Sequence, residues 1–100
     1  MGFVKVANTN DLKSGECKVV NGNGIEIALF NVDGVFHAVD NRCPHRGGTL
    51  GEGILDGEFV ICPWHGFRFN VVTGDSLVMP TMHLKKFEVK IDGDHVLVNI

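Results

Sequence analysis

The sequence has no tyrosine, one tryptophan and no apolar run approaching the roughly 20 residues that span a bilayer. The first lack removes every phenolic hydroxyl as a hydrogen-bond donor, and the last predicts a protein without a membrane span. The opening residues Met1-Gly2-Phe3-Val4-Lys5 show neither a charged-then-apolar leader nor a twin-arginine pair, and Val6 stands where N-myristoylation needs Ser or Thr. An excess of positive charge is missing too. Nine Lys and Arg against twelve Asp and Glu leave a formal net charge of −3, which argues against nucleic acid as a partner. Cysteine is scarce and odd in number, three in all, a pattern that suits a reducing compartment better than a disulfide framework. These absences together predict a cytoplasmic protein that binds no membrane. Linkers, repeats and low-complexity segments are absent, so residues 1–100 are expected to form a single domain.

Helix-period patterning is lacking as well. Short apolar runs alternate instead with turn dipeptides along the whole chain. Phe3-Val4-Lys5-Val6 reads as a strand, and the polar residues 8–16 hold at most one helical turn, at 11–13. Residues 17–20 form a second strand, followed by a tight turn within Asn21-Gly22-Asn23-Gly24, since Asn-Gly pairs tolerate positive φ. Residues 25–31 and 35–39 make the clearest hairpin, about Asp33-Gly34, and Asp40 and Asn41 lead the chain out of it. A further hairpin joins 54–55 to 58–61 about Asp56-Gly57. Then come a strand at 67–70, a turn at 73–75, a loop at 79–81, and strands in 87–91 and 96–100 reversed through Asp92-Gly93-Asp94. Short strands with regular turn signals predict an all-β antiparallel sandwich or barrel.

The distinctive stretch is 43–66. It opens with Cys43-Pro44-His45 and closes with Cys62-Pro63-Trp64-His65-Gly66, which is C-x-H, sixteen residues, then C-x-x-H. Thiolates are soft, strong donors and neutral imidazoles weaker ones, so each short motif offers one ligand of each kind. Gathering the thiolates on one metal and the imidazoles on a second makes a Rieske [2Fe-2S] centre. A single structural zinc is the other centre these side chains can build, although zinc modules usually pair Cys with Cys and His with His. Pro44 and Pro63 restrict the backbone beside each Cys. Gly47, Gly48 and Gly66 permit the close approach or positive φ that wrapping a bulky group requires.

In all four ligand positions residues 43–66 resemble the paired binding loops of the Rieske iron–sulfur family, and a looser likeness covers residues 4–100. The resemblance implies a Rieske-like antiparallel β-sandwich with a cluster-binding subdomain of two loops and one [2Fe-2S] cluster per chain. Cys43 and Cys62 would bind one iron, and His45 and His65 the outer iron that gains the electron. Two ferric irons, two sulfides, two thiolates and two imidazoles sum to zero charge, which eases reduction relative to an all-thiolate cluster. High-potential relatives carry a disulfide whose cysteines align with Gly48 and Trp64, and a Ser and a Tyr that align with Phe67 and Phe69. Without those hydroxyls the expected potential falls toward the low end of a span of about −150 to +300 mV, and Phe67 and Phe69 are expected to pack beneath the cluster.

Lacking also a membrane anchor and room for a non-haem iron domain, the chain resembles the small ferredoxins of ring-hydroxylating oxygenase systems. The resemblance implies an electron carrier and not an enzyme, taking electrons from a flavin-dependent reductase and passing them to a terminal oxygenase. The small subunit of an assimilatory nitrite reductase and a structural zinc module stand as alternative readings. His45 and His65 are expected at an exposed tip ringed by Arg46, Gly47, Trp64 and Pro80. Trp64 would dock a partner or shield the cluster, and Arg42 and Arg46 would steer an acidic partner or simply be solvated. Cys17, His37, His83 and His95 read as strand or strand-edge residues, and Thr73 and Asp75 as turn residues.

Overall fold

The computed structural model of the protein describes residues 2–42, 49–63, 68–76 and 83–100. Strand β1 (Phe3–Asn8) leads into a one-turn 3₁₀ helix, η1 (Thr9–Asp11), and then into a meander of β2 (Cys17–Gly22), β3 (Ile25–Val32) and β4 (Val35–Asp40). A second 3₁₀ turn, η2 (Leu50–Glu52), precedes β5 (Ile54–Asp56), β6 (Phe59–Ile61) and β7 (Arg68–Asn70). The chain ends with β8 (Lys86–Phe87), β9 (Val89–Asp92) and β10 (His95–Asn99). The strands form three antiparallel sheets, ordered β1-β10-β9, β2-β3-β4-β8 and β5-β6-β7.

The layering follows from β3. From Ile27 onward every one of its residues is buried, so it cannot face solvent on either side. Ile27 and Leu29 point to one side, where they pack with Val20, Ala38, Val96 and Val98 under the β1-β10-β9 sheet. Ala28, Phe30 and Val32 point to the other, where they join Val39, Leu50, Val60, Cys62 and Phe69. Each large side chain so buried contributes about 1.5–3 kcal/mol. The central sheet is thus sandwiched between the terminal strands and the β5-β6-β7 sheet.

Both meander turns are two-residue loops with positive φ at each position: Asn23 (50°) and Gly24 (79°), then Asp33 (51°) and Gly34 (89°). That is the type I′ geometry that matches strand twist. The first turn therefore uses the second Asn-Gly pair, and β2 runs on through Asn21 and Gly22. Gly22 is buried at the end of β2, where a Cβ would lie 2.7 Å from Ile100 Cδ1 and 3.1 Å from Val6 Cγ1. The helical turn expected at 11–13 lies instead at Thr9–Asp11, because the Asp11 carboxylate accepts the Asn8 amide at 2.9 Å and closes the turn early. The expected loop at 79–81 lies outside the described residues.

Candidate metal centre

Residues 43–48 leave β4 and return at η2. Their stem is closed by an antiparallel bridge between Arg42 and Thr49, backed by the Leu50 amide donating to the Asn41 carbonyl at 2.9 Å. Residues 64–67 connect β6 to β7, whose pairing sets Ile61 opposite Arg68 and Val60 opposite Phe69. Residues 77–82 spring from a third stem, where Asp75 bridges to His83, and the Phe69–Ser76 bridge ties this stem to β7. The sheet scaffold thus fixes the roots of all three segments.

The element joining the first stem to the second is η2, and two glycines let it fit. A Cβ on Gly51 would come within 2.8 Å of the Val19 backbone nitrogen on β2. One on Gly53 would lie 2.3 Å from the Ile61 carbonyl oxygen, immediately before Cys62. Leu50 is fully buried in the core that holds Val60, Cys62 and Phe69. Neither η2 nor its wedge role is legible in the sequence. The run Gly-Thr-Leu-Gly-Glu-Gly has no periodic signal, and what could have marked it is the glycine spacing alone.

Of the four candidate ligands, Cys62 is described. It follows β6 directly and is 1% exposed. A thiolate held in apolar surroundings is favoured by coordination to a cationic centre. That donor chemistry, with a second thiol and two imidazoles on segments rooted nearby, fits a mixed Cys/His iron–sulfur centre. Cys43, His45 and His65 lie outside the described residues, as do Arg46, Gly47, Gly48, Trp64, Gly66, Phe67 and Pro80. Phe69 is fully buried in the same core as Cys62. Arg42 is exposed at the first stem.

The other titratable candidates sit apart from Cys62 in role. His83 Nδ1 lies 3.0 Å from Asp75 Oδ1, and both side chains are exposed at the root of the third segment. His37 lies on β4, where burial and then the Lys86 charge lower its pKa, opposed by Glu58. Cys17 begins β2, and its thiol donates to the Gly53 carbonyl at 3.3 Å. Burial, and after it the Glu16 charge, pushes that thiol's pKa up, so it stays protonated at neutral pH.

The sequence profile of the Rieske [2Fe-2S] domain matches residues 2–88. The ferredoxin component of the naphthalene 1,2-dioxygenase/salicylate 5-hydroxylase systems of Ralstonia sp. is 36% identical over 99 residues, covering 98% of this chain and 95% of that protein. Among solved structures, Sphingomonas yanoikuyae B1 ferredoxin aligns with a TM-score of 0.90 at 29% identity, over 99% of either chain. A chain in the complex of reduced oxygenase and oxidised ferredoxin in carbazole 1,9a-dioxygenase aligns with a TM-score of 0.87 at 36% identity, over 96% of this chain and 91% of that one.

Proposed function

Because this chain belongs to the Rieske [2Fe-2S] domain family, we propose that it is the one-electron carrier of an oxygenase system and not an enzyme by itself. The observation that carries this reading is the end-to-end likeness to a dioxygenase ferredoxin component, 98% of one chain against 95% of the other. A relative in complex with its oxygenase supports a terminal oxygenase as electron acceptor. A flavin-dependent reductase is the corresponding donor, and residues 1–100 act as one domain. Among the described residues no helix is long and apolar enough to cross a membrane. With the odd cysteine count, this supports a cytoplasmic setting.

Cys43 and Cys62 would hold one iron, and His45 and His65 the other. When bound, such a cluster accepts and releases a single electron at a potential raised by its neutral imidazole ligands. The protein's own part is positional. The Arg42–Thr49 bridge and the β6–β7 pairing hold the roots of both ligand segments. Phe69, with Leu50 and Val60, keeps water from the side on which Cys62 is buried. His45, His65, Arg46, Gly47, Trp64 and Pro80 are assigned to the partner-facing tip, Gly48 and Gly66 to the wrapping of the cluster, and Phe67 to packing beneath it.

The test is an optical and EPR spectrum of purified protein before and after dithionite. A red-brown protein whose reduced form has an average g below the free-electron value is expected. It should then shuttle electrons from a flavin-dependent reductase to a ring-hydroxylating oxygenase. A colourless, EPR-silent protein containing zinc would overturn the proposal.

A further inference from the structure

Two polar residues are buried among the described ones, Asn31 and Asn41. A buried amide side chain holds its place by using both its donor and its acceptor. Asn31 does so by tying the end of β3 to the segment after η1, donating to the Leu12 carbonyl at 2.8 Å, and by accepting the Gly34 amide at 2.8 Å. Asn41 also joins separate elements, in its case at the root of a ligand segment. Its backbone amide donates to the Glu26 carbonyl at 3.2 Å, and its carbonyl accepts the Leu50 amide at 2.9 Å. Its side-chain Oδ1 accepts the Gly51 amide at 2.8 Å, and its Nδ2 donates to Glu26 Oε1 at 3.3 Å.

These bonds complete η2. The first amides of a helical turn have no partner within it and must find acceptors elsewhere. Thr49 occupies the N-cap position, yet its side chain makes no capping bond. The acceptors for Leu50 and Gly51 both come from Asn41, across the stem of residues 43–48. The capped turn is then held between Val19 on one side and the Ile61 carbonyl on the other, one residue before Cys62. Hydrogen bonds therefore link Glu26 on β3 through Asn41 to η2, and η2 lies so close to the strand that delivers Cys62 that Gly53 has no room for a Cβ.

We propose that Asn41 is a positioning residue for the metal centre: by capping η2 from the far side of the stem, it fixes the Arg42–Thr49 root from which residues 43–48 run relative to Cys62. The inference rests on the iron–sulfur reading above. It is distinct from core filling, because an apolar side chain of equal size would fill the space and leave the Gly51 amide without an acceptor.

The experiment compares wild-type holoprotein with Asn41→Leu, Asn41→Asp and Asn41→Asp combined with Glu26→Gln. Readouts are reduced-state g values, midpoint potential and the half-life of the cluster in excess chelator. A wild-type protein without an iron–sulfur signal fails the underlying reading, whatever Asn41 does. With that signal present, Asn41→Leu is expected to release its cluster about 10- to 100-fold faster, the usual cost of losing a group that orients ligands, and to show altered g values. Asn41→Asp keeps the acceptor for Gly51 but sets a carboxylate against Glu26. Glu26→Gln supplies a donor in its place and is expected to restore both readouts. An Asn41→Leu protein with wild-type g values, potential and half-life overturns the proposal, even if its urea midpoint has fallen. Should Asn41→Leu not fold, Asn41→Ala, which also withdraws the acceptor from the Gly51 amide, takes its place, and wild-type g values, potential and half-life in that protein overturn the proposal equally.

Discussion

Cys17 and His37 show how little of a residue's chemistry is visible in its sequence neighbours. Both read as plain strand residues, and both lie on strands, but their burial depends on partners distant in the chain. For Cys17 the partner is the Gly53 carbonyl. Its raised pKa predicts slower alkylation of Cys17 by iodoacetamide at mildly alkaline pH in the folded protein than in urea, since only the thiolate reacts. Equal rates in the two states would contradict it. For His37 the lowered pKa has a definite sign for stability. The unfolded chain takes up a proton near the ordinary imidazole value of about 6.5, before the folded one does. The His37 contribution is therefore intact above that pH and is lost as pH falls through the lower folded value. His37→Gln should flatten the fall in urea midpoint on acidification below about pH 6.5. An unchanged slope would remove His37 from the account.

At the level of elements, hairpins were readable and η2 was not. The Asp33-Gly34 turn carries a local signal that no distant contact needs to supply, and the β5–β6 hairpin forms where expected, although its loop is Gly57-Glu58 because Asp56 pairs with Phe59. Choosing between Asn21-Gly22 and Asn23-Gly24 already required Ile100 and Val6, which pack on Gly22 from the far end of the sequence and the first strand. The wedge η2 depends wholly on such contacts, with β2 and β6 backbones on its two sides. Gly53→Ala places a methyl 2.3 Å from a carbonyl of β6 that is fixed by its pairing with β5 and β7. The expected loss is about 1–3 kcal/mol or more. Gly57→Asn is the matched control, because Gly57 has a φ of 62° and open space around its Cα, which Asn tolerates. Urea unfolding of the two variants should separate clearly, and a Gly53→Ala protein as stable as Gly57→Asn would show that η2 is not wedged.

Across the whole molecule, the ligand motif was legible because metal chemistry demands particular residue types at short fixed spacings. The three-layer packing was not, because pairing β1 with β10 joins opposite ends of the chain and leaves no local trace. That packing has an energetic consequence. The core between the terminal and central sheets, built on Ala7, Leu12, Val20, Ile27, Leu29, Ala38, Val96 and Val98, contains among the described residues none adjacent to a ligand segment. The opposite core includes Cys62 itself, with Leu50 and Phe69 at the roots of those segments. Its outer layer is three strands of three residues each, too short to hold together without help from what they cover. A bound centre that ties residues 43–48 to residues 62–67 would supply that help, since binding a metal to folded ligands adds directly to the stability of the segment bearing them. Removing the cluster with a chelator should therefore unfold the molecule in part. Hydrogen exchange of the stripped protein is expected to keep protection in β1, β3 and β10 while amides of η2, β5, β6 and β7 become exchangeable. Loss of protection throughout would mean that the two cores fold as one unit, and full retention would mean that the β5-β6-β7 layer stands without the metal.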